Sequence, residues 1–200
     1  HKITIIPRGR AGGYTLTLPK EDRSYMTKQE MIDEIKVLMG GRVAEALVLK
    51  DISTGASNDL ERASETARRM VCDYGMSEKL GPISFGSRQE QVFLGRDMGR
   101  DRNYSEEVAQ IIDQEVRRIV EDAYQKTEEI LTTHMDELHT IANALLEFET
   151  IDSVDMKYLL ADGRMPTAEE KKEAEIAAAR RATSDETGVE ETPVVEEEPV

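Results

Sequence analysis

The sequence predicts a mainly α-helical protein that also contains short β-hairpins. Apolar residues recur three or four positions apart through most of the chain up to residue 160, which is typical of packed helices. Near the start, two short β-branched runs stop at prolines, which indicates strands. From residue 166 onward the chain has 11 acidic and four basic residues and no aromatic ones. We therefore expect a folded body over residues 1–163 and an acidic, largely disordered tail over residues 164–200.

The composition argues against several classes of function. The formal net charge is -15 over 200 residues, which is unfavourable for a protein that binds nucleic-acid phosphates. The sequence contains no run of about 18 apolar residues, which would predict a transmembrane helix. It also lacks the charged and then apolar start that would predict a signal peptide. The single cysteine cannot form an internal disulfide. Three histidines are few for a metal enzyme.

Two strands are expected at the start of the chain, on either side of a Gly-rich connection. Residues 3–6 predict the first strand, which stops at Pro7. The second strand alternates between large apolar or aromatic residues and threonine, and it stops at Pro19. We expect it to pair with the first strand as a hairpin. The second strand consists of Tyr14, Thr15, Leu16, Thr17 and Leu18.

A first long helix is expected to begin after Thr27. Thr27 and Glu30 have the spacing of a capping box, and an apolar face follows at helical spacing. Gly40 and Gly41 interrupt this helix, where each costs about 1 kcal/mol relative to alanine. The pair therefore predicts that another element approaches closely at the centre of the packing face.

A loop of small polar residues, 51–58, is expected to lead into a second helix. Asn58 is the predicted N-cap, because Glu61 follows three residues later. Gly75 is the predicted left-handed C-cap. Residues 83–85 and 91–94 then predict a second short hairpin, which a polar loop follows.

Three further helices are predicted in the second half of the body. Ser105 opens the longest of them, and another covers residues 135–148. A short one, residues 153–160, follows a cap at Asp152. Residues 167–181, which are rich in Ala, Glu and Lys, predict a helix with frayed ends.

The residues alone carry few signals of chemistry. The sequence contains no phosphate-binding loop, no GxSxG and no HExxH. His134 and His139 are five residues apart, so on one helix they would point about 140° apart and could not share a metal. Asp59 is unusual because Ser57 and Asn58, both small, deliver it into the first turn of a helix. Two interpretations of Asp59 remain open, a favourable interaction with the helix dipole and a metal ligand.

A series of segments carries a resemblance to one protein family. In chain order they are HKITIIPRGRAGGYTLTLPKED, GGRVAEALVL, STGASNDLERASETARRMV, YGMSEKLGPISFG, VFLGRDM, IIDQEVRRIVEDAY and ETID. They resemble the FtsH family, whose members are ATP-dependent, membrane-anchored zinc metalloproteases of bacteria, mitochondria and chloroplasts. The resemblance is continuous over residues 1–162, and the acidic tail falls in the family's variable C-terminus.

The resemblance implies the C-terminal part of a helical metalloprotease domain of the FtsH type, truncated at its N-terminus. The STGASND motif of the family supplies the third zinc ligand, which falls on Asp59. The other two ligands are histidines of an HExxH helix, whose glutamate is the general base. That motif is expected upstream of His1, so no catalytic residue is expected within this sequence. The strand at residues 14–18 is expected to be an edge for an extended substrate.

For the whole protein, the resemblance implies one Zn²⁺ per subunit, and ATP and Mg²⁺ at an upstream ATPase module. A homo-hexamer on the cytoplasmic face of the bacterial inner membrane would unfold membrane and cytosolic proteins and degrade them processively. Its membrane anchor would also lie upstream, and nucleic acid is not an expected partner. We expect the 200 residues alone to be soluble, to bind zinc weakly and to cleave nothing. The alternative is a naturally short, non-catalytic relative that serves as an assembly or interaction module.

Overall fold

The computed structural model describes residues 2–9, 12–16, 25–85, 104–174 and 176–177. It has mostly helices and a small sheet, so the predicted fold class is confirmed. The strands are β1 (Lys2–Thr4), β2 (Tyr14–Leu16) and β3 (Thr150–Asp152). The helices are α1 (Lys28–Leu49), α2 (Ser57–Cys72), α3 (Glu106–Thr133), α4 (Met135–Phe148), α5 (Ser153–Asp162) and α6 (residues 168–174). None of the helices within these ranges is long and apolar enough to cross a membrane.

The chain forms two compact units. Unit 1 combines His1–Pro19 with Asp136–Val200, and unit 2 is Lys20–Met135. In unit 2, helices α1, α2 and α3 each pack against the other two. Burying one large apolar side chain in such a core contributes about 1.5–3 kcal/mol. The largest fully buried apolar side chains of this bundle are Ile35, Met39, Val43, Met70, Val71 and Ile112.

Helix α1 begins as predicted and continues through its two glycines. The Thr27 hydroxyl accepts a hydrogen bond from the Glu30 backbone N–H (3.2 Å), and the Glu30 carboxylate accepts one from the Thr27 N–H (2.7 Å). The expected close approach at Gly40 and Gly41 is wrong for the described residues, since no atom lies within 4 Å of a Cβ built at either position. The reason is that Ile35, Met39 and Val43 make the contact with the bundle, and the glycines lie beside that face.

Helix α2 begins two residues earlier than predicted. Its N-cap is Ala56, which makes no side-chain capping bond, so the prediction of Asn58 as the cap is wrong. Ala56 is buried, and a backbone bond from the Ser57 N–H to the Thr54 carbonyl (3.1 Å) starts the turn. Gly75 has the predicted left-handed conformation, with φ +60°, but the prediction that it caps the helix is wrong, because α2 ends at Cys72 and its C-cap is Asp73.

Between α2 and α3, the predicted second hairpin is wrong in the half that is described. Residues 83–85 form no strand, although the Phe85 N–H donates to the Cys72 carbonyl (2.7 Å). Residues 91–94 lie outside the described residues. Ser105 caps α3 as predicted, because its hydroxyl accepts from the Val108 N–H (3.3 Å). Helix α3 ends at Thr133, and His134 is its C-cap with φ -109°. His139 belongs to the next helix, α4, so the angle expected for the two histidines on one helix does not apply.

Unit 1 contains a three-stranded antiparallel sheet in the order β2-β1-β3. The predicted pairing of β1 with β2 is confirmed, with Ile3 opposite Thr15. A methyl group added at Gly13 would lie 2.5 Å from the Thr4 carbonyl oxygen, so this hairpin requires glycine there. Strand β3 was not predicted from the sequence; its Ile151 lies opposite Ile3 and is fully buried.

Helices α5 and α6 follow the sheet within unit 1. Asp152 caps α5 as predicted, since its carboxylate accepts from the Val154 and Asp155 N–H groups (2.8 and 3.0 Å). Lys171 of α6 pairs with Asp155 (2.9 Å) and Asp152 (2.8 Å). The start of the acidic segment is thus helical and joined to α5 by ion pairs, and residues 178–200 lie outside the described part of the chain.

Candidate functional site

Asp59 lies in the first turn of α2 and is partly buried. Its carboxylate makes no hydrogen bond or ion pair within the described residues. The N-terminus of a helix carries a partial positive charge, which stabilises a carboxylate at this position. The side chain is therefore held at a fixed helix end, and no described residue occupies its oxygens.

The loop before Asp59 is attached to the C-terminal half of α1. The Glu45 carboxylate accepts hydrogen bonds from the backbone N–H (3.2 Å) and the hydroxyl of Ser53. Arg42 Nη1 donates to the Ser53 carbonyl (2.9 Å) and lies 3.8 Å from Glu45 Oε2. The hydrogen bonds from Ser53 hold the pKa of the Glu45 carboxyl below its ordinary value. We call Arg42, Glu45 and Ser53 the α1–loop clamp.

Hydrogen bonds continue from the clamp to the first turn of α2. Ser53 Oγ accepts from the Gly55 N–H (3.1 Å), and the Thr54 carbonyl accepts from the Ser57 N–H (3.1 Å). The Ala56 carbonyl then accepts from the Leu60 N–H (3.0 Å). The position of the Asp59 turn is thereby coupled to α1.

Asp59 was predicted as a site residue from the sequence, but the clamp was not. The Arg42–Glu45 pair could have been predicted from the sequence, because the two residues are three positions apart and so lie on one face of α1. Their shared partner, Ser53, is eight residues beyond Glu45 and across a helix end. The periodicity of a single helix carries no signal for such a contact.

The donor atoms present fit one metal ligand but not a complete metal site. A carboxylate oxygen is an accepted ligand of zinc, and zinc usually takes three or four protein ligands. Among the residues that the structure describes, no three His, Cys, Asp or Glu side chains are grouped so that they could hold a metal ion. Asp59 could therefore complete a zinc site only with ligands that the described residues do not provide.

The strand predicted to bind substrate is an outer strand of the sheet. Strand β2 pairs only with β1, and no other described strand lies at its second edge. Tyr14 and Leu16 are exposed, while Thr17 and Leu18 lie outside the described residues. A cavity of about 290 Å³ lies beside β1, β3 and α5, and Thr15 forms part of its lining.

Comparisons with known proteins match most of the chain. The family model of peptidase family M41 matches residues 1–159. ATP-dependent zinc metalloprotease FtsH 1 of Thermoanaerobacter sp. (strain X514) is 60% identical over 78% of this chain and 26% of its own length. FtsH 2 of Alkaliphilus metalliredigens is 63% identical over 76% of this chain and 22% of its own length. FtsH of Bacillus subtilis is 52% identical over 83% of this chain and 26% of its own length.

The chain thus spans about a quarter of the length of these relatives. The matched region contains all of β1 to β3 and α1 to α4, and most of α5. It also includes Asp59 and the whole α1–loop clamp. Since the family model covers far more than half of the sequence, the chain belongs to peptidase family M41.

Proposed function

We propose that this chain is the C-terminal part of the peptidase domain of an ATP-dependent zinc metalloprotease of the FtsH type. The observation that carries the proposal is the placement of Asp59. Within the region that matches the peptidase family, this carboxylate lies at the start of α2 without a partner in the described residues. A free carboxylate held at a helix N-terminus is suited to bind a cation together with ligands from elsewhere.

In this proposal, Asp59 is one zinc ligand, and two histidines of an HExxH helix elsewhere in the full-length protein are the others. The bound zinc would lower the pKa of a water molecule and polarise the scissile carbonyl. The contribution of this chain is to hold one anionic ligand at a fixed position, and the general base belongs to the HExxH helix.

The properties of the whole protein follow from the resemblance to its relatives. We propose that it degrades unfolded or membrane proteins, and that an ATPase module with ATP and Mg²⁺ supplies them to the peptidase sites. We further propose a homo-hexamer attached to the cytoplasmic face of a bacterial inner membrane. The three relatives named above are ATP-dependent zinc metalloproteases, which supports the dependence on ATP and zinc.

Removal of zinc is expected to abolish proteolysis by the full-length protein. Casein cleavage in the presence of ATP should fall to background after treatment with 1,10-phenanthroline and return when Zn²⁺ is added. ATP hydrolysis is the internal control, because it should persist in the chelated sample. Casein cleavage at the untreated rate in a sample shown to be free of metal would contradict the proposal. Absence of cleavage in the zinc-loaded protein would favour the non-catalytic assembly module instead.

We also propose that the outer edge of β2, which pairs with no described strand, binds substrate as an additional strand. An extended peptide can pair with the backbone of an outer strand, and a β2 residue, Thr15, lies at the cavity beside the sheet. This cavity could accept a side chain of the bound peptide. The proposed strand is residues 14–18, of which β2 is the described part.

A photo-crosslinking residue at Leu16 is expected to capture casein in the presence of ATP. Leu16 is 46% exposed, and Leu160 of α5 in the same unit is a matched control because it is 51% exposed. The crosslinked product should form at Leu16 and be at background at Leu160. Equal capture at the two positions would show that casein touches exposed residues of this unit non-specifically. That result would contradict the proposal that the edge of β2 binds substrate.

A further inference from the structure

We infer that the α1–loop clamp positions the proposed metal ligand, Asp59. Arg42, Glu45 and Ser53 touch neither substrate nor metal in this proposal, and they act by fixing the loop that presents Asp59. The inference rests on the proposed function of Asp59 as a zinc ligand. It assigns a positioning role to Ser53, the first residue of the STGASND motif, and to Arg42 and Glu45, which lie outside that motif.

The loop needs such a clamp because its own side chains provide little packing. Residues 51–55 are all exposed, and Ala56 is the first buried side chain after α1. Ordering one backbone residue costs about 1–2 kcal/mol of conformational entropy. A metal ligand must nevertheless be held within about 0.5 Å of its productive position. The hydrogen bonds of the clamp are therefore the main interactions that can fix the loop against α1.

Within the clamp, Arg42 and Glu45 together bind every polar group of Ser53. Glu45 accepts from its backbone N–H and its hydroxyl, and Arg42 donates to its carbonyl. Both partners are charged, and such charge-assisted bonds are roughly twice as strong as neutral ones. The side chains of Arg42 and Glu45 are only 20% and 22% exposed, so water screens them less than a surface pair.

Ser53 Oγ transmits this restraint toward Asp59. The hydroxyl donates to Glu45 and also accepts from the Gly55 N–H (3.1 Å), so one atom joins α1 to the loop backbone. A Cβ at Gly55 would lie 3.2 Å from the same oxygen, which shows how closely the loop folds over it. Loss of the hydroxyl would release both bonds, and the Asp59 turn would gain freedom of movement.

The test uses the full-length protein with the variants Ser53→Ala, Ser53→Thr and Glu45→Ala. We expect Ser53→Ala and Glu45→Ala to lower zinc affinity roughly 10- to 100-fold, as is usual when the partners behind a metal ligand are removed. Ser53→Thr keeps the hydroxyl and should restore the affinity of the unmodified protein. Affinity is measured by competition with a chelating dye, and the ligand geometry by the absorption spectrum of bound Co²⁺.

Asp33→Ala is the matched control for the clamp variants. Asp33 is also a carboxylate on α1, and it accepts from Lys36 three residues later (2.7 Å) and from Gln29 (3.0 Å). It makes no contact with the loop, so its removal should leave zinc affinity and the Co²⁺ spectrum unchanged. Similar melting temperatures for Asp33→Ala, Ser53→Ala and Glu45→Ala would show that the zinc effect is local.

The outcomes separate this inference from the proposed function on which it rests. If Asp59→Asn binds zinc as tightly as the unmodified protein, the ligand assignment itself fails. If Asp59→Asn loses zinc while Ser53→Ala and Glu45→Ala retain it, the clamp inference alone is overturned. It is overturned as well if Ser53→Thr binds zinc as weakly as Ser53→Ala.

Discussion

Replacement of Asp59 by asparagine is expected to remove zinc and proteolysis from the full-length protein while ATP hydrolysis continues. Asparagine keeps the size of the side chain but replaces an anionic oxygen donor by a neutral amide, which is a poor zinc ligand. The Asp59 carboxylate makes no bond within the described residues, so folding should hardly change. Loss of its interaction with the helix dipole costs only about 0.3–1 kcal/mol.

Glu61→Gln is the matched control for Asp59→Asn. Glu61 is an exposed carboxylate near the same end of α2, so both variants remove one negative charge from that region. Bound zinc, casein cleavage and ATP hydrolysis should be measured for each variant. We expect Asp59→Asn to lose more than about 100-fold in zinc affinity, beyond the effect of removing partners behind a ligand, and Glu61→Gln to behave like the unmodified protein. If both variants cleave casein normally, Asp59 only stabilises the helix.

The parts of the fold that sequence predicted well are those with local causes. Thr27 and Glu30 form their capping box within one turn, and Asp152 caps α5 through residues that follow it directly. Strand β3 was missed because three residues between two helices are too short to show alternation. Its pairing with β1 joins residues almost 150 positions apart, and no local pattern records such a contact.

The candidate site shows the same division between local and distant causes. The small residues before Asp59 are visible in the sequence, but its proposed role as a ligand rests on the resemblance and not on the physical pattern of the residues. The predicted cap at Asn58 was wrong because burial of Ala56, a tertiary effect, sets the start of α2. The clamp joins α1 to a loop beyond its end, so only a three-dimensional structure could show Glu45 and Ser53 in contact.

A buried carboxylate on α3, Glu115, stabilises unit 2 through charged and polar partners. Its side chain is 1% exposed and accepts from Ser77 Oγ (2.9 Å) and from Arg118 Nε and Nη2 (both 3.1 Å). Lys79 Nζ lies 3.4 Å away. A buried charge without these partners would be strongly unfavourable, so the contacts of Glu115 with Ser77, Lys79 and Arg118 must form together when the chain folds.

Glu115→Ala is expected to lower the free energy of unfolding by roughly 3 kcal/mol, the low end for breaking a buried ion pair. The low end applies because the side chains of Arg118 and Lys79 are 44% and 57% exposed and can turn to water. Urea unfolding followed by circular dichroism measures the change. Glu121→Ala is the control on the same helix, since Glu121 is 56% exposed and pairs with Arg117 at the surface; its loss should cost less than about 1 kcal/mol.

The same carboxylate predicts a dependence of stability on pH. Hydrogen bonds from Arg118, followed by those from Ser77, lower the pKa of Glu115 from 4.5 to about 2, although burial opposes them. Because the folded-state pKa is depressed, the stabilisation is complete above the unfolded pKa and is lost as the pH falls from 4.5 towards 2. Glu115→Gln should therefore be less stable than the unmodified chain at pH 7, and this difference should shrink through that window. A difference that stays constant down to pH 2 would show that Glu115 stabilises the bundle by packing rather than by its charge.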